Sequence, residues 1–159
     1  MNGAEFCKRI KKLEKQLYMC AYSILENQAD TEDAVCSAIQ KGYEKLDQLQ
    51  QDHKFAAWIM KITRNEALQI KRHRIELPGD EQLENLMAPV FDNHFELWDM
   101  VQQLQEEYRE VVVLYYYTGL SVKEIAQVLD VPVGTVKSRM NRGREYLREN
   151  FKIEREEDK

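Results

Sequence analysis

Apolar residues recur every three or four positions along most of this chain, a spacing that predicts helices. Phe6, Ile10, Leu13, Leu17, Cys20 and Ile24 form one stripe, and Ala34, Val35, Ala38, Ile39, Tyr43 and Leu46 form a second. Asp30, with Asp33 three places on, is the expected N-cap of the second helix. The polar stretch 47–53 interrupts the pattern and reads as a loop. A third helix follows from Phe55. On a wheel of about 100° per residue, Phe55, Trp58, Ile59 and Ile62 gather on one side and Lys61, Arg64, Lys71 and Arg72 on the other. Trp58 on that apolar side reads as a core aromatic. Further on, residues 99–117 read as one helix. The run VVVLYYY at 111–117 has strand propensity, but the helix formers at 102–110 outweigh it. Gly119 suits the end of that helix.

After Gly119 several local signals agree. Ser121 and Glu124 make a capping box that opens a short helix, SVKEIAQVL, with Ile125, Ala126 and Leu129 on one face. Asp130 and Val131 supply a tight turn, and Pro132 suits the first position of another short helix. That helix puts Val136, Met140, Gly143 and Leu147 on one stripe. Its opposite arc holds Thr135, Ser138, Asn141, Arg142 and Glu145, with Lys137, Arg139 and Arg144 on the shoulders. Two helices joined by a tight turn, the second with a small-polar and basic outer face, predict a helix-turn-helix. Hydroxyl, amide and guanidinium groups on such a face read base edges in the major groove while cations hold phosphates.

Charge sharpens this picture. The chain of 159 residues carries a formal charge of −5, which argues against a polybasic coat protein. The charge is unevenly placed, however. Residues 1–74 have 13 basic and 10 acidic side chains, residues 75–99 have seven acids and no Lys or Arg, and residues 100–159 have 10 basic and 11 acidic. Stretches 61–74 and 133–148 each hold five cations against one acid, the footprint expected of polyanion-binding surfaces. The acidic middle also contains Pro78, Gly79 and Pro89 and reads as a flexible linker. The expected architecture is therefore all-α: two small helical domains, 1–74 and 99–153, joined by an acidic linker at 75–98 and followed by a tail at 154–159.

Other chemistry is sparse. Cys7, Cys20 and Cys36 are odd in number and widely spaced, unlike a disulfide framework or a zinc knuckle, and suit a reducing cytoplasm. The lysines and arginine at 8–15 interrupt any apolar core a secretory signal would need. His53, His73 and His94 lack ligand spacing, and no Gly-rich phosphate loop or Cys–His pair appears. No catalytic residue, metal or cofactor is expected.

Residues 104–147, LQEEYREVVVLYYYTGLSVKEIAQVLDVPVGTVKSRMNRGREYL, resemble the C-terminal domain of the extracytoplasmic-function (ECF) subfamily of sigma-70 factors of bacterial RNA polymerase. The first module resembles the other half of that pattern: DTEDAVCSAIQKGYEKL at 30–46 is similar to the helix that grips the beta-prime clamp, and FAAWIMKITRNEALQIKR at 55–72 to the helix of the minus-ten element. Gln105 departs from the family, where a proline commonly opens the second domain. The resemblance implies a transcription initiation factor rather than an enzyme. It implies core-polymerase contacts through Asp30, Asp33, Ile39 and Tyr43, and minus-ten contacts through Lys61, Arg64, Asn65, Lys71 and Arg72, with the loop before Phe55 holding a flipped base. It further implies minus-thirty-five contacts through Thr135, Lys137, Ser138, Arg139, Asn141 and Arg142 and a second domain resting on the beta flap. An anti-sigma partner is expected on the same ground. The competing reading is a stand-alone helical regulator, which predicts tight duplex binding by the free protein.

Overall fold

The structure, a computed structural model, describes residues 1–76 and 95–157. No strand occurs among the described residues. The chain divides into two compact units, Met1–Ala88 and Pro89–Lys159.

The first unit is a three-helix bundle of α1 (Gly3–Leu25), α2 (Gln28–Glu44) and α3 (Phe55–Glu76). Asn2 caps α1 by accepting from the Glu5 amide at 2.9 Å. The helix ends at Glu26, which takes a left-handed conformation (φ 59°). The cap of α2 lies three residues earlier than the sequence reading put it. Asn27, not Asp30, is the N-cap: its Oδ1 accepts from the Asp30 amide at 2.8 Å, and its Nδ2 donates to the Asp30 carboxylate at 3.0 Å. Asn27-x-x-Asp30 is thus the bonded pair, three residues further from the apolar stripe than Asp30-x-x-Asp33.

Phe6, Ile10, Leu17, Cys20 and Ile24 are buried as their spacing demands, and Leu13 is half-buried. In α2, Ala34, Val35 and Ala38 are buried, but the stripe does not continue inward to Tyr43, which is 57% exposed and meets Phe6 edge-on at 5.6 Å. Gly42 takes the inward place: a Cβ there would lie 2.6 Å from Ile59 Cδ1, so its bare backbone lets α2 approach α3. The buried side of α3 also differs from the expected one. Phe55, Ala57, Ile59, Met60, Thr63 and Ala67 are buried, whereas Trp58 and Ile62 are half-buried. Helix α3 packs against both α1 and α2, so its core side is centred between two neighbours. Ile59, Met60, Thr63 and Ala67 fill that side, and Trp58 and Ile62 are turned to its margin. Between α2 and α3 the loop forms two short 3-10 turns, Leu46–Gln48 and Asp52–Lys54.

The second unit departs from the single helix expected over 99–117. Helix α4 (Phe95–Gln102) ends, the chain turns at 103–105, and α5 (Glu106–Val112) begins with Gln105 at its N-cap position. The apolar run is helical as read, but Val113–Tyr117 widens into a π turn, closed by the Thr118 amide on the Val113 carbonyl at 3.1 Å. Gly119 follows at φ 75°, a conformation that favours glycine. Helix α6 (Val122–Leu129) and helix α7 (Val133–Glu157) complete the unit. Helix α7 is long rather than short and continues past residue 153, where the domain was expected to end.

The linker expected at 75–98 lies mostly outside the described residues, at 77–94. Its two ends are helical: Ile75 belongs to α3 and Phe95–Trp98 is the first turn of α4. Trp98 is 3% exposed and packs edge-on against Tyr117 at 4.9 Å, which places it in the core of the second unit.

Candidate nucleic-acid interface

The helix-turn-helix is assembled from three local devices. The Ser121 hydroxyl accepts from the Glu124 amide and the Glu124 carboxylate accepts from the Ser121 amide, both at 3.1 Å, completing the capping box of α6. Asp130 takes a left-handed conformation at φ 54°, and the Val131 amide closes onto the Ala126 carbonyl at 3.1 Å. The Pro132 carbonyl accepts from Thr135 at 3.0 Å and Val136 at 3.2 Å, so Pro132 is the residue before α7 rather than its first member. Replacing Ser121 with Ala is expected to cost about 1 kcal/mol, read as a lower melting temperature of the second unit.

Burial then fixes which side of α7 faces outward. Ile125, Ala126, Val128 and Leu129 of α6 are buried, as are Val136, Met140 and Gly143 of α7. A Cβ at Gly143 would stand 2.8 Å from Val112 Cγ2, so α7 lies close against α5 there. Lys137, Ser138, Asn141 and Arg142 are exposed together on the opposite arc. Thr135 is half-buried at its edge. Arg139 turns aside, with Nε 3.8 Å from the Glu107 carboxylate. Arg144 turns to the other flank, where Nε donates to the Tyr116 hydroxyl at 2.7 Å and the guanidinium lies over the Tyr115 and Tyr116 rings at 5.8 and 5.6 Å. Exposed Val133 and Gly134 begin the same outward face. Pattern reading passed over them because neither residue is polar.

Behind this face, Leu97, Val101, Val112, Tyr116, Arg144 and Leu147 line a mostly apolar groove of about 510 Å³ between α4 and α7. Burial pushes the Tyr117 phenol above its ordinary pKa, so the hydroxyl at the groove stays neutral.

In the first unit the expected minus-ten residues separate into two rows. Lys61, Asn65 and Arg72 fall within about 40° on the α3 wheel, beside half-buried Trp58. Arg64 and Lys71 form a second row about 60–80° away on the same wheel. The loop at the start of α3 is held from behind. Arg9 donates from Nη1 to the Asp52 carbonyl at 2.7 Å and from Nε to Glu5 at 2.9 Å, and its guanidinium lies over Phe55 at 5.8 Å. That contact spans 43 residues of sequence, so no local pattern reveals it.

The expected polymerase-binding residues are dispersed along α2. Asp33 is exposed, Ile39 half-buried and Tyr43 exposed. The Asp30 carboxylate is engaged within the unit, 2.5 Å from Arg74 Nη2, and Arg74 also donates to the Leu25 carbonyl at 3.4 Å. This bridge ties the end of α3 to the junction of α1 and α2. Among the described residues, no group of His, Cys, Asp and Glu is arranged to hold a metal ion, and no helix is long and apolar enough to cross a membrane.

These features define a two-unit all-helical protein, with a helix-turn-helix in one unit and a long basic helix in the other. Residues 9–74 match the family model of sigma-70 region 2, and residues 94–147 that of sigma-70 region 4. The chain is 31% identical to the ECF RNA polymerase sigma factor SigW of Bacillus subtilis, across 91% of this chain and 96% of that protein. It is 29% identical to the ECF RNA polymerase sigma-E factor of Escherichia coli K12, across 74% of this chain and 72% of that one. A co-crystal structure of the sigma factor RpoE with the anti-sigma factor NepR from Bartonella quintana is also similar, with a TM-score of 0.78, 25% identity and coverage of 94% of this chain. The chain belongs to the ECF subfamily of sigma-70 factors.

Proposed function

We propose that the chain acts as a transcription initiation factor: it binds core RNA polymerase, recognises minus-thirty-five and minus-ten promoter elements and promotes strand opening. The observation that carries this reading is the pairing, in one chain, of a region 2 unit and a region 4 unit that together match SigW over nearly its whole length. Within this reading, Asp33, Ile39 and Tyr43 meet the beta-prime clamp helices, and the Asp30–Arg74 bridge sets the angle of α2. Lys137, Ser138, Asn141 and Arg142 enter the major groove, with Thr135 and Arg139 at the margin. Lys61, Arg64, Asn65, Lys71 and Arg72 hold the opened minus-ten strand, and the loop at 46–54 takes a flipped base. Unstacking that base costs a few kcal/mol, which loop contacts and phosphate charge must return. The apolar groove between α4 and α7 rests on the beta flap. An anti-sigma partner is part of the proposal, supported by the NepR complex of the similar RpoE. The protein works in the cytoplasm, where polymerase and chromosome are, and acts without catalysis of its own.

Reconstitution with core polymerase followed by genome-wide start-site mapping tests the reading. The expected result is co-elution with core and initiation at a discrete promoter set. Tight duplex binding by the free chain, with no association with core, would instead support the stand-alone regulator. Arg9→Ala is expected to loosen the loop at 46–54 and reduce open complexes several-fold, with core binding unchanged. Permanganate reactivity of the opened region checks this against co-elution with core.

A further inference from the structure

The groove between α4 and α7 carries charge that an apolar contact surface does not need. Its floor comes from buried Val101 and Val112, with Leu97 and Leu147 reaching the surface beside them. Arg144 and Arg148 line it as well, four residues apart on α7 and so about 40° from each other on the helix wheel. Like charges at this spacing weaken a helix, so helix stability does not account for the pair. No acidic side chain lines the groove, and burial keeps the Tyr117 phenol in its wall neutral. Arg144 gives one donor to the Tyr116 hydroxyl, and a guanidinium holds several more. Arg148 is exposed, and among the described residues neither arginine is paired with an acid.

Size and exposure add the second observation. At about 510 Å³ the groove falls within the roughly 300–1,000 Å³ of small-molecule sites, which join an apolar lining to a few placed polar groups. Of its lining side chains, Leu97 and Tyr116 are left exposed to water. We propose that this groove binds a small anionic amphiphile. Its apolar chain lies against Leu97 and Leu147 over Val101 and Val112, and its charged head accepts from Arg148 and from the remaining donors of Arg144. Charge complementarity carries the assignment, because the site offers an apolar floor and planar cations with no competing anion. The regulatory part rests on the sigma reading above, in which the same groove rests on the beta flap. Ligand and flap then exclude one another, and occupancy turns initiation down.

The test titrates the full chain by calorimetry with decanoate, decyl phosphate and decanol, each below its micelle concentration. The two anions are expected to bind saturably, the tighter one identifying the head group, and decanol more weakly. Arg148→Gln should weaken both anions about tenfold, the effect of losing one hydrogen bond to a charged group, and leave decanol unchanged. Leu97→Gln, at an exposed position, should weaken all three, and equal circular dichroism checks the fold of both variants. Trp98 packs on the Tyr117 ring, so in a Trp58→Phe background its emission should shift with occupancy. No saturable binding, or equal binding of the anions by both variants and wild type, would overturn the proposal. No binding together with weaker association of Arg148→Gln with core would overturn it too, and would assign the groove to a protein partner alone. In reconstituted holoenzyme, saturating decanoate should lower initiation by wild type several-fold and spare Arg148→Gln at the same concentration. Unchanged initiation would overturn the regulatory step. Failure of the chain to co-elute with core, with decanoate binding intact, would overturn the sigma reading and leave the binding site standing.

Discussion

Arg142→Ala is expected to weaken promoter use by about 1–3 kcal/mol, the range for loss of one bidentate base contact. Arg142 is exposed in the middle of the outward arc of α7. Arg139 and Arg144, its basic neighbours, are turned to Glu107 and Tyr116. Those two are engaged within the unit, whereas Arg142 stands exposed, as the proposed base contact requires. The substitution removes little packing, because the side chain stands away from the buried stripe of Val136, Met140 and Gly143. The defect should therefore appear in minus-thirty-five selectivity with the melting temperature unchanged. Run-off transcription from the cognate promoter and from one altered in that element reads the difference. An equal signal from wild type and variant would remove Arg142 from the readout.

Ile125→Ala is expected to cost 2–5 kcal/mol, the usual range for truncating a large buried aliphatic side chain, at roughly 2–5 kcal/mol for Leu or Ile. Ile125 is wholly buried beneath the helix-turn-helix. The unit it supports is small, and small domains bury a lesser fraction of their surface and hold correspondingly narrow stability margins. Much of the second unit's stability should be lost while the three-helix bundle of the first stays folded. Thermal denaturation should then show an early transition absent from wild type. Minus-thirty-five binding should fall sharply, and co-elution with core through the first unit should be retained. A single transition at the wild-type temperature would contradict this placement of the core.

Both predictions depend on features that were legible to different degrees. The capping box at Ser121 and Glu124, the turn at Asp130 and the stripe Val136, Met140, Gly143 are short-range patterns, and the structure realises each of them. The cap of α2 was misplaced because two Asx-x-x-Asp spacings compete within seven residues, and only the real hydrogen bonds select Asn27. Of the apolar side expected on α3, Phe55 and Ile59 are buried, but the side was centred too close to Trp58 and Ile62, which are half-buried. Packing against both α1 and α2 turns the buried arc toward Ile59, Met60, Thr63 and Ala67 instead.

The α4–α5 break carried little signal, since Gln105 stands where the family resemblance leads one to expect a proline. Trp98 fell into the acidic segment by composition, yet its ring is buried against Tyr117. Composition describes neighbours along the chain, while burial is decided by neighbours in space.

The sequence by itself determined the helical class, the two-unit organisation and the helix-turn-helix, because periodicity, caps and turn residues act over three to seven positions. Tertiary structure alone decided which arginines of α7 are engaged within the unit, since the partners of Arg139 and Arg144 lie 32 and 28 residues away. It also decided that Asp30 closes a bridge to Arg74, and that Arg9 backs the loop before Phe55. These are pairings of charge with charge or with backbone across long chain separations. Many partners satisfy such pairings equally well until the packed helices bring one of them within reach.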